Sequence, residues 1–169
     1  VDRADTFVAG LSAGGAMAEV LAATHPDVFS AAGIHSGLPY GAAADLVSAP
    51  GAMKGRGLRA TPPPEAAGVR KIVFHGDADT TVHASNAQRI LESATATIPG
   101  AGQEIVRRTI NGRTVTHTTV GDCDGFAHTE HWLIHGAGHA WSGGAHGGSY
   151  TDPTGPDAST EIVRFFLKH

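Results

Sequence analysis

The chain has 169 residues, of which 41% are hydrophobic and 17% charged, and its formal net charge is −4 with histidine neutral. That suits one domain with an apolar core. It leaves no basic footprint for nucleic acid or an anionic membrane surface, and no apolar run approaches the ~20 residues of a membrane span.

No charged segment followed by an apolar one opens the chain, so no signal peptide is visible. Residues 6–9 are a short apolar run without alternation, the pattern of a strand in a parallel sheet covered on both faces. Gly10-Leu11-Ser12-Ala13-Gly14 follows. Met17, Val20 and Leu21 then recur at helical spacing, which predicts a helix over 13–24 that His25-Pro26 ends. Residues 29–34 read as a second strand, leaving through Ser36-Gly37-Leu38-Pro39. Residues 45–53 can hold a helix, and Pro62-Pro63-Pro64 makes a loop. Residues 71–74 are a third strand, leading into His75-Gly76-Asp77-Ala78-Asp79. A helix over 85–97 places Ala87, Ile90, Leu91 and Ala94 on one face. Residues 105–110 and 114–120 flank Asn111-Gly112, a strong hairpin signal. Residues 131–135 are the next strand, followed by Gly136-Ala137-Gly138-His139. Ser159 is expected to cap a last helix over 160–168 that buries Ile162, Val163, Phe166 and Leu167. This alternation predicts an α/β fold, a mostly parallel sheet with helices on both faces. There are no internal repeats, and residues 1–169 are expected to form a single catalytic domain.

Gly10-Leu11-Ser12-Ala13-Gly14 is a G-x-S-x-G motif between a strand and a helix, the setting of a sharp turn that lifts a serine hydroxyl clear of the backbone. Gly10 and Gly14 are expected to remove steric clash in that bend. The Ala13 N–H then points where an oxyanion would form. A serine alcohol needs a base within hydrogen-bond reach, and the base needs an orienting carboxylate. His139, in a Gly-rich loop, fits the base, and Asp79, just after a strand, fits the carboxylate. Their order, Ser then Asp then His, is that of α/β-hydrolases, and each follows a strand end, where ligands bind in such sheets. Asp77 is the rival acid. Asp79 is favoured because Asp77 sits in a tight turn, better placed for a local backbone bond. Trp141 can wall a pocket or only pack its loop, and Tyr40 is a further pocket residue.

Other features weigh against different chemistry. His128, His131, His135 and His139 recur every three or four residues, but a strand and two glycines interrupt any helix that would gather them on a metal, and no H-E-x-x-H spacing occurs. No metal or cofactor is therefore expected. His75 and His35 read as loop anchors. Cys123 is the only cysteine, so no disulfide closes within the chain. It can pair with a cysteine elsewhere or stay free, the free state being favoured.

Gly10 through Met17, His75 through Val82, and Gly138 through Gly144 closely resemble the poly(3-hydroxybutyrate) depolymerase family of esterases, which includes feruloyl and acetylxylan esterases. Ser36-Gly37-Leu38-Pro39-Tyr40-Gly41 and the tail from Ser149 to Ser159 resemble it too. The resemblance covers nearly the whole chain. It implies the C-terminal portion of an α/β-hydrolase fold, with Ser12 as nucleophile, Asp79 as acid and His139 as base. It also implies a secreted or periplasmic enzyme acting on short-chain hydroxyalkanoate polyester or on plant-wall esters. Family members normally begin with further strands and a His-Gly loop that supplies the second oxyanion donor, and nothing here matches that part. Three explanations follow: a fragment, a cleaved enzyme whose other half is a separate chain, or a truncated product. Without that half, weak or no activity, poor solubility and an exposed apolar sheet edge are expected.

Overall fold

The apolar runs pair into one twisted sheet because their small and branched side chains can be covered from both sides. The structure is a computed structural model and describes residues 5–45, 47–58, 62, 68–96, 98, 100–122 and 126–168. Cys123 and most of the Pro62-Pro63-Pro64 loop lie outside the described residues. The strands are β1 (Phe7–Leu11), β2 (Ala31–His35), β3 (Arg70–Gly76), β4 (Gly102–Ile110), β5 (Arg113–Gly121) and β6 (Ala127–Ile134). Their order is β1-β2-β3-β6-β5-β4. The first four in that order run parallel, and the β4–β5 hairpin joins antiparallel through β5. Asn111 and Gly112 both hold positive φ, 43° and 80°, as a tight hairpin requires.

Two layers cover the sheet. On one face, Ala32, Ile34 and Val73 pack against α1 (Ala13–Thr24) and α3 (Ser85–Thr95) through Ala18, Ala22, Ala87 and Ile90. On the other, Ile72, Phe74, Trp132 and Ile134 pack against α4 (Ala158–Phe166) through Ile162, Phe165 and Phe166. Between α1 and α4, β2 is buried at every position. The parallel register matches Leu11 with His35, His35 with Phe74, and Gly76 with Ile134. The turns that follow β1, β3 and β6 therefore open on one rim.

Several elements differ from the sequence expectation. In α1 the buried face is Gly15, Ala18, Glu19, Ala22 and Ala23, while Met17 and Val20 are 56% and 37% exposed. Small residues let the helix sit close on β2, and Glu19 is buried because Lys71 Nζ meets it at 2.7 Å. α4 starts two residues early, capped by Asp157 rather than Ser159. Asp157 Oδ1 accepts from the Thr160 N–H, while Ser159 Oγ takes the Trp141 indole N–H. Phe165 is buried there with Ile162 and Phe166, and Val163 and Leu167 are exposed. The expected helix over 45–53 is a short turn, α2 (Ala49–Gly51), widening into a π-type stretch over Ala52–Arg56. β6 begins at Ala127, ahead of the expected 131. Its polar start is tolerated because Glu130 meets Arg164 at 2.6 Å and His117 at 3.0 Å.

Two short strands, β7 (Trp141–Ser142) and β8 (Thr151–Asp152), pair in parallel above the rim. No described helix is long and apolar enough to cross a membrane.

Candidate active site

Ser12 sits between β1 and α1 with φ 56° and ψ −117°, a conformation that side chains other than glycine rarely adopt. Its N–H donates to the His35 carbonyl at 2.9 Å, and its carbonyl accepts from the Ala16 N–H at 2.9 Å. The bend is tight at Gly10, where a Cβ would overlap the backbone carbonyl of Gly14. A Cβ on Gly14 itself would meet nothing within 4 Å. The second steric requirement falls on Gly15, outside the motif, whose Cβ would lie 2.9 Å from the His35 carbonyl oxygen. Ala13 opens α1, so its N–H has no acceptor within the helix.

Asp79 follows β3, and its carboxylate is fully occupied. Oδ1 accepts from the N–H groups of Thr81 and Val82 at 2.9 and 2.8 Å, and Oδ2 lies 2.8 Å from His139 Nδ1. Burial pushes this carboxyl up, but the His139 hydrogen bond, the Val82 N–H and the neighbouring imidazoles outweigh it and hold it below its ordinary value. Asp79 is therefore ionised at neutral pH, with His139 Nδ1–H donating to it. That leaves the imidazole Nε2 as the atom able to accept a proton. Ser12 and His139 line one cavity of about 350 Å³, together with Leu11, Thr81 and Tyr150.

Both supporting histidines are neutral. His75 is fully buried, and its Nε2–H donates to the Val82 carbonyl at 2.8 Å, pinning the turn that carries Asp79. Burial lowers its pKa. Burial, aided by the nearby His75 and His139, takes His35 down to about 3. Its ring stacks between Phe74 and Trp141, and its Nε2 accepts from the Ser142 N–H at 3.1 Å.

The other expected residues lie elsewhere. Asp77 has a bond to its own backbone, but its side chain is not confined to its own turn. The carboxylate reaches across to the next loop, 2.7 Å from His135 Nδ1 and 2.7 Å from the Gly136 N–H. Trp141 does not line the Ser12 cavity; it packs on His35 and bonds to Ser159. Tyr40 lines a separate cavity with Pro39, Leu58, Pro62, Arg89, Glu92 and Ser93. Tyr150, not named among them, lines the Ser12 cavity. It is 70% exposed at φ 58°, with its ring edge-on to His139 at 6.5 Å. Only its place in the Ser-Tyr-Thr-Asp-Pro tail marked it in the sequence. Of the four spaced histidines, His131 is buried on the α3 face, His128 meets Asp122 at 3.2 Å, His135 meets Asp77 and His139 meets Asp79. Among the described residues, no three His, Cys, Asp or Glu side chains form a group that could hold a metal ion.

Residues 1–100 match the model of the family described as esterase PHB depolymerase. Poly(3-hydroxyalkanoate) depolymerase C of Paucimonas lemoignei is 33% identical over 152 residues, covering 82% of this chain and 36% of its own. Probable acetylxylan esterase A of Aspergillus fumigatus is 31% identical over 101 residues, covering 50% of this chain and 27% of its own. Among solved structures, an acetyl xylan esterase from Aspergillus awamori superposes with a TM-score of 0.67 at 21% identity, covering 98% of this chain and 60% of that one. The chain thus spans roughly a third of these curated relatives, and its sheet, with a serine turn after β1, has the α/β-hydrolase fold. The chain belongs to the esterase PHB depolymerase family.

Proposed function

We propose that the chain carries the machinery of a serine carboxylic-ester hydrolase, with Ser12 as nucleophile, His139 as general base and Asp79 as its orienting acid. The observation that carries this reading is the 2.8 Å His139 Nδ1–Asp79 Oδ2 bond beside the cavity that holds the strained Ser12. Ser12 Oγ attacks the ester carbonyl while its proton passes to His139 Nε2. The oxyanion of the tetrahedral intermediate is held by the Ala13 N–H and a second donor. His139 returns the proton to the leaving alcohol, and the acyl-enzyme forms. Water, deprotonated by His139, then attacks the acyl carbon, and the proton goes back to Ser12 as the acid leaves. A single oxyanion donor is worth about 3 kcal/mol of transition-state binding, so the second donor decides the rate. We assign it to a further segment or second chain that adds to the sheet beside β1. The substrate we favour is a short hydroxyalkanoate ester or its oligomers, since the hydroxyalkanoate depolymerase aligns over most of the chain. Acetylxylan or feruloyl esters are the second reading, supported by the acetylxylan esterase relatives. Export from the cell belongs to the same proposal.

A fluorophosphonate probe with adduct mapping by mass spectrometry tests the triad. Labelling confined to Ser12, and absent in Ser12→Ala, is expected. Folded protein that stays unlabelled, alone and with the remainder of a family member added, sinks the reading. Hydrolysis rates on hydroxybutyrate, acetyl and feruloyl esters then rank the substrates.

A further inference from the structure

The loop that carries His139 is built from Gly136, Ala137 and Gly138. Two glycines in three residues make it entropically costly to hold in one shape. It is nevertheless pinned. Asp77 Oδ1 accepts the Gly136 N–H at 2.7 Å, and Oδ2 takes His135 Nδ1 at 2.7 Å. The other nitrogen of His135 is 2.9 Å from Thr116 Oγ1 on β5, so the ring is held at both ends. The Gly136 carbonyl accepts from Arg113 at 2.9 Å, and Arg113 in turn bonds to Asp152 and Thr154. Gly136, at φ 72°, is thus held on both sides of its peptide units. The Ala78 N–H adds a bond to the Ala137 carbonyl at 3.1 Å.

Two carboxylate–histidine pairs therefore span the same two loops, Asp77 with His135 and Asp79 with His139. The hydrolysis described above uses only the second. We propose that Asp77 is a positioning residue: by holding His135 and the Gly136 amide, it sets the His139 loop against the Asp79 loop and so fixes the hydrogen bond between His139 and Asp79. Asp77 is not among the residues that line the Ser12 cavity. Its carboxyl is held below its ordinary value, burial being outweighed by the Gly136 N–H and His135, so the anchor is ionised at neutral pH. The proposal rests on the Ser12–His139–Asp79 reading of the site.

The test pairs a structural signal with kinetics. The downfield proton resonance of His139 Nδ1–H is assigned by its loss in His139→Gln and followed in Asp77→Ala and Asp77→Asn. Asp77→Ala is expected to move or broaden that resonance. It should also lower kcat on 4-nitrophenyl acetate roughly 30- to 100-fold, with KM within about twofold. Asp77→Asn keeps an oxygen for the Gly136 N–H and is expected to recover most of both. An unchanged resonance with kcat within about twofold of wild type in Asp77→Ala overturns the proposal. If Asp77→Ala does not fold by circular dichroism, Asp77→Glu, which displaces the carboxylate by one methylene, replaces it; an unchanged His139 resonance there overturns the proposal equally. The resonance needs no turnover. A wild type that neither hydrolyses ester nor takes the phosphonate removes the functional reading and leaves the resonance to decide the role of Asp77.

Discussion

Ser12 is held where only glycine rests comfortably, at a cost of about 1–3 kcal/mol that its surroundings must supply. Ser12→Ala keeps the Cβ and hence the strain, while Ser12→Gly relieves it and gives back part in chain entropy. Ser12→Gly should therefore be more stable than Ser12→Ala by about 1 kcal/mol in urea unfolding, with phosphonate labelling lost in both. Equal stabilities would mean that the turn is not strained. The neighbouring glycines make a sharper contrast. Gly10→Ala drives a methyl into the Gly14 backbone and should cost about 3 kcal/mol or more, whereas Gly14→Ala meets open space in a helix and should be neutral or stabilising by up to about 1 kcal/mol. Thermal melts of the two variants check this directly. Tyr150, edge-on to His139, is the residue whose truncation to Ala should raise KM on ester substrates with little change in stability, since its side chain is mostly exposed.

At the scale of elements, α1 is seated on the sheet by alanines and by one buried ion pair, Glu19 with Lys71 on β3. Burial raises the Glu19 carboxyl above its ordinary value even with the ammonium 2.7 Å away, so little of the attraction survives desolvation. Breaking the pair is another matter, because a charge is then left buried alone. Glu19→Leu should cost about 3–5 kcal/mol, and the Glu19→Leu/Lys71→Met double variant should regain most of it. Denaturant midpoints of the four proteins in this cycle test the claim, and a double variant as unstable as the single would refute it. At the far side of the sheet, α4 is fastened by Arg70, whose guanidinium donates to the last-turn carbonyls of Phe165 and Phe166 and lies over the Phe165 ring. Phe7 of β1 stacks on Phe166 at 4.7 Å. The strand that aims Ser12 is thereby tied to the last helix of the chain.

At the scale of the whole molecule, the buried histidines His35, His75 and His131 share one electrostatic fate. Burial lowers His35 to about 3 and His131 to about 4, and lowers His75 as well, all from 6.5. A base with a lowered folded pKa binds fewer protons folded than unfolded. Its contribution is complete above 6.5 and shrinks as pH falls towards the folded value. His35 and His131 therefore each remove about 1.4 kcal/mol per pH unit between 6.5 and their folded values, about 3 together, and His75 pulls in the same direction. Glu130, taken down to about 2 by His117 and Arg164 against the opposing effect of burial, pulls the same way at still lower pH. The fold should thus lose stability steeply between about pH 6 and 4, against a total of only about 5–15 kcal/mol. Urea midpoints over this range check the slope, and His131→Leu should remove about one proton's share. A midpoint independent of pH would contradict the burial of these rings.

The strand–helix alternation, the Asn-Gly hairpin and the meeting of Ser12, Asp79 and His139 on one rim could be read from the sequence because each depends on local chemistry: short apolar runs, a turn that needs positive φ, a Gly-rich serine turn between strand and helix. The parallel α/β architecture follows from that alternation alone. Packing decided the rest. Which face α1 buries depends on Lys71, fifty-two residues away, which lets Glu19 go inside while Met17 stays out. The start of α4 depends on Trp141, which claims the Ser159 hydroxyl and leaves the cap to Asp157. Asp77 and Asp79 stand two residues apart, and only the meeting of the β3 and β6 loops gave one to His135 and the other to His139. Tyr150 reaches the Ser12 cavity only because β7 and β8 pair across a loop. Contacts between residues distant in the chain leave no periodic mark along it, so they could be settled only where the folded surfaces meet.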